Sequence, residues 1–287
     1  MVAVHAFDTF LAERRICVRL DEPLGPYTTM KVGGPADYLV EPRSAEELAA
    51  AMGAARECGL PVRLLGSGAN LLIRDEGVRG VVVRLTHLHR RLGLHVEAGY
   101  NFAKFVKETA AEGLGGLECL AGIPAQVGGA VRMNAGGRHG ETADAVKYVD
   151  VLSADGELRR LKKDQVGFRY RGTNLGDAII LAAGFDLRPA EGIRERYEEV
   201  LGQKKSSQPL GTHNAGCMFK NPPGGHAGRI IDECGLKGLR VGSAHVSEKH
   251  ANFIENDGGA TAADILGLVE RIQARVPQPL ELEVLVW

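Results

Sequence analysis

The sequence predicts a mixed helix-and-strand protein of two or three compact units, and three observations lead there. The chain has 287 residues, more than the roughly 100–200 that one domain usually holds. Short runs rich in Val, Ile and Leu alternate with capped amphipathic segments over most of its length. Thirty-eight glycines, nearly twice the usual share of about 7%, punctuate those runs without a period and beside apolar neighbours. Glycine used in this way marks tight turns and close backbone approaches, often to a ligand.

Taken in order, residues 36–41 read as a strand that Pro42 ends. Ser44 opens a helix through a capping box with Glu47, and Leu48, Ala51, Met52 and Ala55 line one face until Gly59. Strands follow at 62–65, 71–73 and 81–85, then a helix at 102–112 closed by Gly113. Residues 113–140 are glycine-dense, nearly uncharged and weakly periodic. Strands at 146–152, 158–162 and 179–187 alternate with turns such as Ala154-Asp155-Gly156. Pro189 marks a boundary, a charged helix covers 191–205, and Thr261-x-x-Asp264 introduces a second over 262–275. A last strand is expected at 280–286.

Composition narrows the function. The formal net charge is −1 and no long Lys/Arg run occurs, so no nucleic-acid footprint is expected. Five scattered cysteines (Cys17, Cys58, Cys119, Cys217, Cys234) form no C-x-x-C pair, which argues against a disulfide framework and a structural zinc. His87-x-His89, read as lying on a strand, is the nearest approach to a metal pair, and no metal is expected. No basic stretch precedes an apolar core at the start, where Asp8 intervenes, and no segment nears the roughly 18 apolar residues of a membrane span. The expectation is a cytoplasmic protein.

Two glycine loops carry the ligand signal. Gly66-Ser67-Gly68-Ala69-Asn70-Leu71 is a polar turn between two strands, whose backbone N–H groups can converge on an anion. It is not the dinucleotide fingerprint, because Leu71 holds the third glycine position and a strand follows. The second loop runs Gly122-Ile123-Pro124, then Gly128-Gly129-Ala130 and Met133-Asn134-Ala135-Gly136-Gly137. An uncharged glycine wall suits a planar cofactor lying on backbone, and two such loops permit FAD without demanding it.

At this point the chain resembles the UDP-N-acetylenolpyruvoylglucosamine reductase family. The resemblance begins at Thr28-Thr29-Met30-Lys31-Val32-Gly33-Gly34-Pro35-Ala36 and passes through both glycine loops. It continues through Tyr170-Arg171, Gly216-Cys217-Met218-Phe219-Lys220-Asn221-Pro222, Gly235-Leu236-Lys237-Gly238, the 246–254 segment around His250, and Leu280-Glu281-Leu282-Glu283-Val284. No single station is decisive; all in order are specific. The resemblance implies an α+β fold with a two-part FAD-binding region of the vanillyl-alcohol-oxidase-like type and a C-terminal α+β substrate-binding domain. We place these at 1–84, 85–188 and 189–287, with 279–287 returning to the active site. The short interval from Arg171 to Cys217 matches the family's shorter version, which lacks an extra tyrosine-bearing loop.

The resemblance also implies noncovalent FAD, NADPH as hydride donor, a nucleotide-sugar substrate and reduction of its enolpyruvyl group in peptidoglycan precursor synthesis, by an enzyme expected to be a monomer. Cofactor contacts are carried onto Gly66, Ser67, Gly68, Ala69, Asn70, Leu71, Gly122, Ile123, Pro124, Gly128, Gly129 and Ala130. Arg171 takes the carboxylate, a role its guanidinium fork suits. Glu283 shares a proton or hydrogen bond with the intermediate, which calls for a carboxyl that keeps its proton in a closed site. Cys217 stands where the family generally has serine as the proton donor; a thiol is the stronger acid and can fill the role. Tyr170, Lys205, Lys220 and Asn221 are carried over as substrate contacts. Thr173 replaces a usual serine, and Leu282 a usual proline. Two other readings remain open: a flavin oxidase of the same fold, for which His139 is the one candidate for covalent attachment, and a nucleotide-sugar-binding protein without catalysis.

Overall fold

A computed structural model describes residues 2–287, and they divide into two compact units whose segments interleave along the chain. The first holds Met1–Leu20, Tyr38–Gly66 and Gly80–Gly202; the second holds Asp21–Asp37, Ser67–Arg79 and Gln203–Trp287. This grouping does not coincide with a sequential division at 84 and 188. Arg188–Pro189 pairs with Leu114–Gly115, at a strand end where a missing N–H is tolerated.

Two sheets frame the first unit. One orders its strands Cys17–Pro23, Pro35–Glu41, Val78–Val83 and Val62–Leu64, the last two parallel with Val62 opposite Val81. The other orders Leu158–Lys162, Val146–Leu152, Ile179–Phe185, His95–Glu97 and Arg91–Leu92, each antiparallel to the next. Val81, Val83, Val149, Val151 and Ala183 are buried from these strands, as expected of half-buried pleated surfaces. Helix Phe102–Ala111 follows from its sequence: Asn101 accepts from the Lys104 N–H, and Phe102, Phe105, Val106, Thr109 and Ala110 face inward at helical spacing. Phe105 packs on Phe185 at 4.9 Å between ring centroids. Each such buried aromatic contributes about 1.5–3 kcal/mol, so this ring pair is a main anchor of the core. Helix Ala45–Glu57 starts at Ser44 as its pattern dictates. The buried Glu41 carboxylate is satisfied by Arg84, Thr86 and Arg19.

The second unit has its own core, including Met30, Leu72, Met218, Phe219, Ile231, Ile265, Leu268 and Ile272. It contains an antiparallel sheet of Arg240–Val241, Ala244–Val246 and Ile254–Asn256. Helix Ala262–Gln273 carries the capping box read from Thr261 and Asp264. Both Asp75 carboxylate oxygens accept from its first N–H groups, those of Ala262 and Ala263, where an anion also meets the positive end of the helix dipole.

Several elements differ from the sequence reading, three of them at its candidate sites. The expected strand at 280–286 is regular only at Leu285–Val286, because its residues change partners: Leu282 pairs with Phe219, and Leu285 and Val286 pair with Leu71 and Leu72. His87 and His89 lie beyond the end of strand Val78–Val83, His87 in a turn and His89 in irregular chain rather than on a strand. The glycine-dense stretch contains a short helix, Val127–Arg132, too brief for its period to show. Among the described residues no cluster could hold a metal ion, and no helix is long and apolar enough to cross a membrane.

Candidate active site

In the first unit Gly66, the opening residue of its glycine loop after strand Val62–Leu64, approaches the second loop: a Cβ placed on it would face only Gln126 Oε1, at 3.5 Å. Gln126 precedes helix Val127–Arg132 and makes no side-chain cap to it. The loop is fixed by backbone bonds from Phe102 to Ala125, Val127 to Tyr100 and Gly128 to Ala98. Gly122, at φ +78°, needs the freedom of glycine.

Neighbouring glycines of this loop serve different ends. A Cβ on Gly128 would stand 2.9 Å from Ala98 Cβ, so this glycine exists for close packing. A Cβ on Gly129 would meet nothing within 4 Å. Ala130 points into the hydrophobic core and is fully buried. Gly66 and Gly129 thus leave bare backbone facing space, a cradle that side chains would fill, while Gly128 and Ala130 support it from behind.

Also in this unit, Tyr170 and Arg171 form the tip of a two-residue turn whose ends, Arg169 and Gly172, exchange backbone hydrogen bonds of 2.9 and 3.1 Å. Arg171 lies at φ +55°, in the left-handed region. Its guanidinium carbon is 4.8 Å from the centre of the Tyr170 ring, which is 48% exposed. Thr173 follows at 8% exposure, and its hydroxyl has no hydrogen-bond partner. An orphaned buried hydroxyl costs about 1–3 kcal/mol and marks a place where a ligand or water belongs.

In the second unit the structure brings Cys217 and Glu283 onto adjacent backbone. The Glu283 N–H donates to the Met218 carbonyl at 2.9 Å, the Lys220 N–H to the Glu281 carbonyl at 2.8 Å, and Phe219 and Leu282 pair between them. On its other side the Cys217 segment is clamped by Asn252. The Asn252 carboxamide accepts from the Phe219 N–H at 2.9 Å and donates to the Phe219 carbonyl at 2.8 Å, while the Met218 N–H donates to the Asn252 carbonyl at 2.7 Å.

Asn70 belongs to this arrangement. Its side-chain amide donates to the Glu283 carbonyl at 3.1 Å, and its own carbonyl accepts from the Leu285 N–H. Leu71 is buried in the strand paired with Leu285. Gly68, at φ +62°, is packed where a Cβ would lie 2.6 Å from the Tyr27 carbonyl oxygen.

The other residues carried over as substrate contacts have local partners. Lys220 Nζ lies 2.5 Å from Glu281 Oε1. Asn221 accepts from the Ala227 N–H at 3.1 Å and so ties down the start of helix Ala227–Glu233. Lys205 is exposed near the end of helix Ile193–Ser207, and its carbonyl accepts from Lys249 Nζ. His250, given no catalytic role on sequence, has a packing role: burial holds its imidazole below the ordinary value, and Nδ1 accepts from the Asn252 N–H at 3.3 Å.

Known proteins match over both parts of the chain. Residues 208–287 match the model described as UDP-N-acetylenolpyruvoylglucosamine reductase, C-terminal domain, and residues 36–162 match the FAD binding domain. The UDP-N-acetylenolpyruvoylglucosamine reductase of Moorella thermoacetica is 45% identical, covering 95% of this chain and 94% of that protein. The chain belongs to the UDP-N-acetylenolpyruvoylglucosamine reductase family.

A second family member, from Symbiobacterium thermophilum, is 44% identical over 94% of this chain and 92% of its own length. The crystal structure of UDP-N-acetylenolpyruvylglucosamine reductase from Thermus caldophilus superposes with a TM-score of 0.85 at 45% identity, over 95% of this chain and 99% of that one. A berberine bridge enzyme variant shares the fold alone, at a TM-score of 0.50 and 18% identity over 65% of this chain and 44% of its own. The family fold is therefore α+β, with a FAD-binding region of the vanillyl-alcohol-oxidase-like type followed by the family's C-terminal domain. The bare backbone at Gly66 and Gly129 fits a flavin dinucleotide, since a cofactor lying on main chain needs that missing Cβ.

Two asparagines, one in each unit, have no role in the sequence reading: Asn252 falls within the 246–254 segment and Asn134 within a glycine loop. The signal available was an asparagine standing among glycine or other turn-forming residues, where its carboxamide can bond neighbouring backbone.

Proposed function

We propose that the protein is a flavoenzyme that uses NADPH to reduce the enolpyruvyl group of UDP-N-acetylglucosamine enolpyruvate, giving UDP-N-acetylmuramate for peptidoglycan synthesis. The observation that carries this reading is the pairing of the Met218–Lys220 backbone, next to Cys217, with Glu281–Glu283, with Asn252 and Asn70 holding either side. FAD, when bound, would supply the hydride chemistry that links NADPH to the terminal carbon of the enolpyruvyl double bond. We assign its contacts to 66–71, 122–124 and 128–130, where Gly66 and Gly129 would leave it bare backbone.

The chain's own residues then manage charge and one proton. Hydride addition leaves negative charge on the carbon next to the carboxylate and on the carboxylate itself. Arg171 binds that carboxylate through its forked N–H groups and holds it in the orientation the reaction needs. Preorganised charge of this kind is worth roughly 100- to 1000-fold in rate per donor. Cys217 Sγ–H gives its proton to the carbon beside the carboxylate, breaking S–H and forming C–H, and the thiolate recovers a proton from solvent. Glu283, in its protonated form, hydrogen-bonds to the enol-like oxygen while the charge resides there. Lys205, Lys220, Asn221 and Tyr170 bind the nucleotide sugar.

Each of the two larger sheets described for the first unit draws its strands wholly from 17–83 or from 91–185, which supports two flavin subdomains divided near 84. A UDP-activated sugar is a cytoplasmic metabolite, and we place the enzyme there as a monomer. The test is anaerobic reduction of the purified protein by NADPH, followed by the enolpyruvyl nucleotide sugar. Bleaching of the yellow colour and its return on adding substrate are expected. Return of colour only with oxygen would point to an oxidase, and a colourless protein indifferent to FAD would point to a binding protein.

A further inference from the structure

The described residues include five non-glycine residues at positive φ: Arg15, Asp21, Lys31, Asn134 and Arg171. Such conformations cost an ordinary residue on the order of 1 kcal/mol and persist only where surroundings enforce them. Two of the five are coupled. Asn134, at φ +43° and 1% exposed, donates from Nδ2 to the Arg169 carbonyl at 3.1 Å. Arg169 is the base of the turn that carries Tyr170 and Arg171. The same Nδ2 bonds Glu141 Oε2 at 2.6 Å, and Oδ1 accepts from the Ala143 N–H at 2.9 Å.

The carboxamide therefore ties three backbone or side-chain groups on two segments, away from competing water. The Tyr170–Arg171 tip carries a positive φ only at its second central residue, a position that normally takes glycine or asparagine. An arginine there is stable in that pose only while the base of the turn is fixed. A misplacement of about 1 Å in a group that orients substrate costs on the order of 100-fold.

We propose that Asn134 is a positioning residue that sets the reach of Arg171 toward the substrate carboxylate. This rests on the reading of Arg171 as the carboxylate's partner. It predicts an effect confined to the step in which the nucleotide sugar reacts, because Asn134 acts through the turn and not on NADPH.

The experiment uses the full-length holoenzyme with Asn134→Gly and Asn134→Asp, both compatible with a left-handed backbone, alone and combined with Arg171→Met. FAD content and the rate of reduction by NADPH are measured beside kcat/KM for the enolpyruvyl nucleotide sugar. Asn134→Gly is expected to keep flavin content and NADPH reduction within about twofold while kcat/KM falls on the order of 10- to 100-fold. Asn134→Asp keeps the acceptor for Ala143 but loses the donor to Arg169, and is expected to show the same split if the glycine variant loses flavin. In the Arg171→Met background the Asn134 change should cost less than about threefold, the non-additivity of residues acting as one unit. Equal losses in both half-reactions, or the same fold-loss with and without Arg171, would overturn the proposal. Full kcat/KM in Arg171→Met alone would overturn the reading of Arg171 itself, and the single variant reveals that separately.

Discussion

Arg171 stands at φ +55° on a two-residue turn secured from below by the carboxamide of Asn134, whereas Cys217 and Glu283 lie on backbone tied directly to its neighbours. One region holds the side chain we assign to the carboxylate by tolerating local strain. The other holds the two we assign to proton transfer by satisfying main-chain groups, with Asn252 supplying from its side chain the pair of bonds a neighbouring strand would make. The difference teaches where stability and function diverge. Strain can be relieved without harming the fold, but an unpaired buried backbone group cannot.

Replacing Arg171 with glycine should divide the two most sharply. Arg171→Gly is expected to lower kcat/KM for the nucleotide sugar by about 100-fold or more, yet to unfold at the wild-type temperature or slightly above it. A calorimetric midpoint several degrees lower would show that the turn is not strained as described. The opposite outcome is expected of Asn252→Ala, which leaves the buried N–H and carbonyl of Phe219 without partners. A destabilisation of about 2–4 kcal/mol should appear in urea titrations, with Asn252→Asp intermediate. Loss below about 0.5 kcal/mol would mean that the clamp is dispensable.

A smaller effect separates adjacent glycines of the flavin loop. Gly128→Ala forces a Cβ to 2.9 Å from that of Ala98 and is expected to cost about 1–3 kcal/mol. Gly129→Ala meets open space within a helix and is expected to stabilise the flavin-free protein by up to about 1 kcal/mol while weakening FAD retention. Thermal melts with and without added FAD check both, and equal flavin affinity in Gly129→Ala would remove that residue from the cradle.

Local chemistry was what the sequence made legible. Ser44 and Thr261 each stand within four residues of the amide they cap, so their helices could be placed from pattern alone. The glycine loops were visible as composition, but the separate tasks of Gly128 and Gly129 depend on Ala98, which is remote in sequence. The interleaving of Asp21–Asp37 and Ser67–Arg79 with Gln203–Trp287 was invisible for the same reason. Alternation at 280–286 overstated one strand, since a period of two does not reveal that the chain changes partners midway. Arg171, Cys217 and Glu283 were reached through family resemblance. A lone arginine on a turn, a lone thiol and a terminal glutamate carry no periodic signal of their own.

Of these three, Cys217 tests the account most directly, because it is the residue to which we assign the proton. In single-turnover experiments with enzyme already reduced by NADPH, Cys217→Ser should keep most of its rate with the enolpyruvyl nucleotide sugar. Cys217→Ala should lose on the order of 100-fold or more at that step, with reduction by NADPH unchanged in both. An alanine variant that reduced the substrate at the wild-type rate would contradict the assignment of the thiol as the proton donor.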